Sequence, residues 1–233
     1  MPKESYNKTE KKQARFLGKQ WQIVKKITAE KALKPDIMIV KRGQQFLVAK
    51  DFRNKGWGAR YIWGPLNLMY EKFLLKKLDG VANIPQVIGL EDYNCLLISL
   101  IEGDEIKKCV HLLTKNSFDQ LLEIADNLHS RGVLHLDLGH KSNIMVDQHG
   151  NPAIIDFNSS LYLPPNSFFR PLIHLLAKID HYSILRLKIK FRPQDSNPAE
   201  KRRVEFFLRL RKLWIFDRLL RKITNSAKAG SHS

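Results

Sequence analysis

The chain has 233 residues, of which 43% are hydrophobic, 27% charged and 9% aromatic. That is enough apolar material for one catalytic domain or two small binding modules, and it excludes a largely disordered or fibrous protein. Forty Lys and Arg against 23 Asp and Glu give a formal charge of +17. The only cysteines, Cys95 and Cys109, are too few for a disulfide framework or a cysteine-based zinc site, so a reducing compartment is expected.

The charge is sorted along the chain. Residues 1–60 carry 16 basic and 5 acidic side chains, residues 61–163 carry 8 and 13, and residues 164–233 carry 16 and 5. Uniform charging for solubility would not give an acidic middle between two basic ends. The first residues contain no apolar stretch of signal-peptide type. No apolar run approaches the ~18–20 residues that span a bilayer. The expectation is a cytoplasmic protein with any membrane contact peripheral.

In chain order, residues 1–34 are Lys-rich with apolar positions at Phe16, Leu17, Trp21, Ile23, Val24 and Ile27. They read as a helix ending before Pro35. Residues 36–50 read as a hairpin, two apolar strands about a Lys41-Arg42-Gly43 turn. A glycine-containing loop at 54–58 leads to a helix at about 65–78. A strand pair follows at 86–100 with its turn at 91–94. The chain turns helical after 116, then forms two short strands, 144–146 and 153–155. From 164 onward everything reads as helical and basic. No repeat or linker divides the chain. The order predicts an α+β fold with a β-rich N-terminal part, a helical C-terminal part and a cleft between them.

Residues 128–158 carry the chemistry. Asp137 sits just past a helix end, Asn143 opens a strand six residues later, and Asp156 closes the next strand. Asn143 and Asp156, at the ends of two paired strands, suit one hard cation such as Mg²⁺. Asp137 is then available to accept a proton from an attacking hydroxyl.

This stretch resembles the catalytic core of the protein-kinase-like fold. Residues 128–138 are similar to the end of the long C-lobe helix and the catalytic loop. Asp156-Phe157-Asn158 occupies the place of the Asp-Phe-Gly motif. The resemblance implies Asp137 as catalytic base, with Asn143 and Asp156 holding the metal. It also implies Lys50, in Val48-Ala49-Lys50, as the strand lysine that grips the nucleotide phosphates. Glu71 becomes its ion-pair partner 21 residues on, and residues 96–103, with Glu102, the strand and hinge that receive adenine. The similarity covers roughly residues 36–160. It implies ATP and Mg²⁺ as cofactors.

The departures are specific. No Gly-x-Gly-x-x-Gly precedes Lys50, where only Gly43 is available. The loop from Asp137 to Asn143 is one residue longer than usual, Leu136 replaces the arginine that pairs with a phosphorylated activation segment, and Asn158 replaces glycine. No Ala-Pro-Glu follows Asp156, and the segment after it is short. A closer resemblance is to the bacterial lipopolysaccharide core-sugar kinases, small relatives of the Rio kinases. It rests on the Gly-Trp-Gly element within residues 53–60, the Glu71 helix, Ile84-Pro85, and a basic stretch at 180–193.

Singly, these residues have ordinary alternatives. Lys50 is also readable as an exposed strand lysine, Glu71 as a solvated helix residue, the Arg53–Arg60 loop as a surface turn instead of a phosphate cover, and Asp156 as a plain strand end. His135 is expected to be a core histidine bonded to backbone. His129, His140 and His149 lack metal-ligand spacing and read as turn residues. A helix over 206–223 collects Arg211, Arg218 and Lys222 in one arc opposite apolar residues, which suits either an anionic membrane surface or packing on the C-lobe. No base-stacking motif is present, so nucleic acid is not expected as a partner.

The reading is therefore a two-lobed protein-kinase-like fold: a basic N-terminal helical extension at 1–35, an N-lobe at 36–103, a reduced helical C-lobe at 104–200, and a basic amphipathic helix and tail at 201–233. The expected activity is ATP/Mg-dependent phosphotransfer to a sugar hydroxyl of a lipopolysaccharide-type glycolipid on the inner face of the inner membrane. The alternatives are a Rio-like serine/threonine protein kinase and a pseudokinase scaffold at a membrane surface.

Overall fold

The computed structural model describes residues 21–26, 32–166 and 168–213. Its N-terminal half is a five-stranded antiparallel sheet in the order β1-β2-β3-β5-β4. The strands are β1 Gln22–Lys26, β2 Asp36–Arg42, β3 Gln45–Asp51, β4 Val87–Asp92 and β5 Cys95–Ser99. β2 and β3 form the predicted hairpin, in continuous register from Asp36 opposite Asp51 to Arg42 opposite Gln45. Gly43, at φ +59°, opens its two-residue turn, a conformation that glycine enters without steric cost.

Period-2 alternation gives this sheet two different faces. One buries Met38, Val40, Leu47, Ala49, Cys95 and Leu97 together with Trp21. Val48, Lys50, Leu96 and Ile98 alternate with these residues and face the other way, with Leu96 and Ile98 in the main core. Lys50 is thereby set on the face that a helix covers.

The helix expected over residues 1–34 is corrected in its described part: Gln22–Lys26 is a strand paired with β2. Trp21 and Ile23 follow an i, i+2 spacing and bury toward the sheet, and the β-branched pair Ile23-Val24 suits a strand. The Trp21 indole donates to Glu91 at 3.0 Å, and the Arg42 guanidinium lies 4.7 Å over its ring. Residues 1–20 and 27–31 lie outside the described residues, as does the tail beyond 213.

A π-helical turn, Ala59–Trp63, leads into α1, Gly64–Lys77. A Cβ on Gly64 would stand 2.6 Å from the Phe52 ring, so the helix can approach the sheet this closely only with glycine there. α1 buries Leu68, Leu74 and Leu75, each worth about 1.5–3 kcal/mol of apolar burial. Glu71 sits on the same buried stripe.

The C-terminal half is built on α2, Lys115–Ser130, and α3, Arg170–Phe191. A reciprocal capping box between Thr114 and Ser117 starts α2, a feature worth about 1 kcal/mol. It ends before Gly132, at φ +78°, where a Cβ would run into the Leu163 carbonyl. Short strands follow: β6 Asp104–Glu105, β8 Ile144–Val146 and β9 Pro152–Ile154 form one sheet, and β7 Val133–Leu134 pairs with β10 Leu161–Tyr162. α4, Pro198–Leu213, returns along α3 through a Lys188–Glu200 ion pair at 2.8 Å and a Tyr182–Phe207 ring contact. That is the described part of the predicted C-terminal amphipathic helix, and Phe207 packs as the C-lobe alternative requires. One continuous core runs from Phe52 through Leu96, Phe118 and Phe157 to Leu187, joining the two lobes. No described helix is long and apolar enough to cross a membrane.

Candidate active site

The site lies where the α1-covered face of the sheet meets the β7–β10 region. Lys50 Nζ, on β3, is 2.5 Å from Glu71 Oε1 on α1 and 3.4 Å from Asp156 Oδ1 beyond β9. Lys50 and Glu71 are 4% and 1% exposed, which removes the solvated readings of both. Burial by itself lowers the lysine's proton affinity. The charges of Glu71 and Asp156 outweigh that effect and raise it, so Lys50 stays an ammonium.

Asp156 is one-third exposed. Burial pushes its carboxyl up, but the Lys50 charge and hydrogen bond hold it below the usual range, with a further pull from Lys34 between β1 and β2. It is ionised at neutral pH. Its backbone is left-handed, φ +65°, an expensive conformation outside glycine. The Asn158 carboxamide donates to Asp156 Oδ1 at 2.7 Å and steadies it. This residue, a departure at sequence level, thus orients the carboxylate. Phe157, fully buried, belongs to the main core.

Asp137 follows β7. Asn143 Nδ2 donates to its carboxylate at 2.9 Å and to its carbonyl at 3.1 Å. The Ile155 N–H in turn donates to the Asn143 carbonyl at 2.9 Å, binding the Asp137 loop to the segment that carries Asp156. The Asn143 side-chain oxygen accepts from the Ser142 hydroxyl at 3.4 Å and is the atom that could ligate a metal. Together with an Asp156 carboxylate oxygen, that is an all-oxygen set, the type that hard cations such as Mg²⁺ take.

His135 is a core histidine, as expected. It is fully buried, its Nε2 donates to the Ile155 carbonyl at 3.2 Å, and its ring meets Phe157 edge-on. Burial holds its proton affinity down, so it is neutral.

One functional carboxylate escaped the sequence reading. Asp180, on α3 and fully buried, accepts the main-chain N–H of His135 at 2.8 Å and of Leu136 at 2.7 Å. Leu136 stands at φ +63°, strained for a leucine, and Asp180 clamps the peptide that carries it. The signal was present: Asp180 falls in the middle of the buried stripe Ile173, Ala177, Ile184, Leu187. Residues 180–191 of the basic stretch are thus part of a packed helix.

Two expectations change, those for Arg53 and His129. Arg53 is not a phosphate contact: it is buried against Asp51 at 2.8 Å and reaches Asp92, anchoring the loop from below. Glu102 lies exposed on the link from β5 to β6. His129 is no turn residue: it lies on α2, 8% exposed, with Nε2 2.9 Å from Asp180 Oδ2. His140 and His149 do lie in turns.

No family model matches the chain. Among curated proteins it is similar to the serine/threonine-protein kinase ppk34 of Schizosaccharomyces pombe, 28% identical over 42% of this chain and 31% of that protein. It is 29% identical to the CBL-interacting serine/threonine-protein kinase 21 of Arabidopsis thaliana, over 35% of this chain and 21% of that one. It is 28% identical to sperm motility kinase Z of Mus musculus, over 41% and 20%. The chain spans a third or less of the length of each. These relatives and the architecture agree on a two-lobed, protein-kinase-like α+β fold.

Proposed function

We propose that this chain is an ATP- and Mg²⁺-dependent phosphotransferase of the protein-kinase type, and that its acceptor is a serine or threonine hydroxyl of a polypeptide. The observation that carries the reading is the buried Lys50 ammonium shared between Glu71 and Asp156. A scaffold has no physical need to keep a buried Lys50–Glu71 ion pair beside a cleft carboxylate, because desolvating each buried ion costs several kcal/mol.

Phosphoryl transfer is mainly a problem of positioning and charge neutralisation. Lys50, aligned by Glu71, pairs with the nucleotide phosphates. The β5–β6 link, with Glu102, lines the adenine side. Asn143 and Asp156 would hold the metal, which would supply charge neutralisation at the phosphate oxygens. Asp137, its carboxylate turned by Asn143 Nδ2, accepts the acceptor's proton as the hydroxyl oxygen attacks the γ-phosphorus, and the bond from that phosphorus to the β,γ-bridging oxygen breaks to release ADP. Two of the relatives are named as serine/threonine-protein kinases, which supports a polypeptide acceptor.

A second reading, the sugar hydroxyl of a lipopolysaccharide-type glycolipid, is favoured by one observation. Trp57, the π-helical turn and the outer face of α1 expose an apolar surface of Trp57, Tyr61, Ile62, Trp63, Leu66 and Met69, which suits a membrane interface. That reading puts the protein on the cytoplasmic side of a membrane, bound peripherally.

The test is transfer from γ-labelled ATP with Mg²⁺ into a whole-cell extract separated into protein and lipid fractions, with Asp137→Ala alongside. Label in protein with wild type only is the expected result. Label confined to lipid overturns the polypeptide acceptor in favour of the second reading. No label, from a chain that binds Mg·ATP, supports the scaffold and overturns the activity.

A further inference from the structure

Behind the catalytic loop, α2 and α3 bring together three side chains that phosphotransfer does not use. Asp126 and His129 lie one turn apart on α2, and His181 faces them from α3. One ligand atom from each lies within 4.8 Å of the others, and the two imidazole rings are 5.2 Å apart.

His129 shows an imbalance. Its Nε2 is engaged by Asp180 Oδ2 at 2.9 Å, while its Nδ1 is buried without a hydrogen-bond partner. Buried polar atoms are almost always satisfied, so an orphaned imidazole nitrogen calls for an occupant. His181 Nε2 and Asp126 Oδ1, 2.8 Å apart, supply the neighbouring donors.

We propose that Asp126, His129 and His181 form a zinc site. Two imidazoles and a carboxylate are the donor set of open, three-ligand zinc centres, with water completing the tetrahedron. Asp126 is mostly exposed and His181 about one-third exposed, so the fourth position opens to solvent.

The pairing of His129 Nε2 with the Asp180 carboxylate puts the proton on Nε2 and leaves Nδ1 as a lone-pair donor. Outer carboxylates hold ligating histidines in this way. Imidazole donors prefer zinc to magnesium, whereas Asn143 and Asp156 offer only oxygen. The two sites therefore take different cations.

The consequence is mechanical. A bound ion ties α2 to α3 and fixes His129 on Asp180, the carboxylate that holds the His135 and Leu136 amides. It stiffens the catalytic loop from behind without touching it. This inference does not depend on the nucleotide chemistry proposed above.

The test uses the full chain, stripped by a chelator, titrated with Zn²⁺ alone by calorimetry and with Co²⁺ as an optical reporter. One Zn²⁺ per chain, a raised Tm and the absorption bands of four-coordinate Co²⁺ are expected. His181→Ala and Asp126→Asn, with folding checked by circular dichroism, should weaken Zn²⁺ binding by at least about tenfold. His149→Ala, in an exposed turn, should leave it unchanged. No stoichiometric binding by wild type, or binding that His181→Ala and Asp126→Asn leave intact, would overturn the site.

Discussion

Lys50 Nζ lies 2.5 Å from Glu71 Oε1, a contact between two ions that strand β3 and helix α1 withdraw from water almost completely. Its worth lies in the pairing. Removing one partner of such a buried pair costs about 3–5 kcal/mol, because the other is left charged and unsolvated. Glu71→Leu should therefore lower stability by roughly that amount in chemical denaturation. The double change Lys50→Met with Glu71→Leu replaces both ions by apolar side chains and should recover most of the loss. The doubly changed protein should remain folded and transfer no phosphate. A single Glu71→Leu that leaves stability unchanged would show that the ion pair is not formed as described.

Asp180 makes a different kind of prediction, since its carboxylate serves two main-chain donors at once. Asp180→Ala strands the His135 and Leu136 amides, at about 1–3 kcal/mol for each buried unsatisfied group. It also releases the strained Leu136 peptide. Asp180→Asn keeps one acceptor oxygen and should lose about half as much. Phosphotransfer should fall in kcat with little change in KM for ATP, because the displaced element carries Asp137 and leaves Lys50 untouched. A KM effect alone would contradict this assignment.

The α3–α4 contact should depend on acid. Burial opposes ionisation of Glu200, but the hydrogen bonds from Lys188 and from the Asn197 N–H hold its carboxyl below the usual value. A carboxyl depressed by folding contributes stability that is present above its unfolded pKa and is lost as pH falls through the folded one. The stability difference between wild type and Glu200→Gln should be full at neutral pH, start to shrink as pH drops past the ordinary glutamate value of about 4.3, and vanish only below the lower folded value. A difference independent of pH would place the contribution in packing.

Much of this was legible in the sequence, for identifiable reasons. Lys50, Glu71, Asp137, Asn143 and Asp156 stand in one order and spacing, and hairpin alternation alone puts Lys50 on the face opposite Ala49. β1 was not legible as a strand. Trp21, Ile23, Val24 and Ile27 satisfy helical spacing as well as alternation, and only pairing with β2 decides between them. Asp180 was obscured by the basic residues around it, although its place on an apolar helical stripe marked it as a buried acid with a partner. His129 was hidden because its metal-type neighbours are Asp126 on its own helix and His181 on another, and helix crossings are not written in spacing. The Asn158 contact to Asp156 depends on a left-handed backbone that no sequence pattern announced.

The most direct test of the central claim is Mg²⁺-dependent transfer from γ-labelled ATP by wild type and by Asp137→Asn, with nucleotide binding measured on both. Asn143 Nδ2 donates to Asp137 and the Lys50 network does not include it. The substitution should therefore leave the fold and Mg·ATP binding in place, while transfer falls about 10²–10⁴-fold. Transfer by Asp137→Asn at the wild-type rate would show that Asp137 is not the group that takes the acceptor's proton, and the proposed mechanism would be wrong.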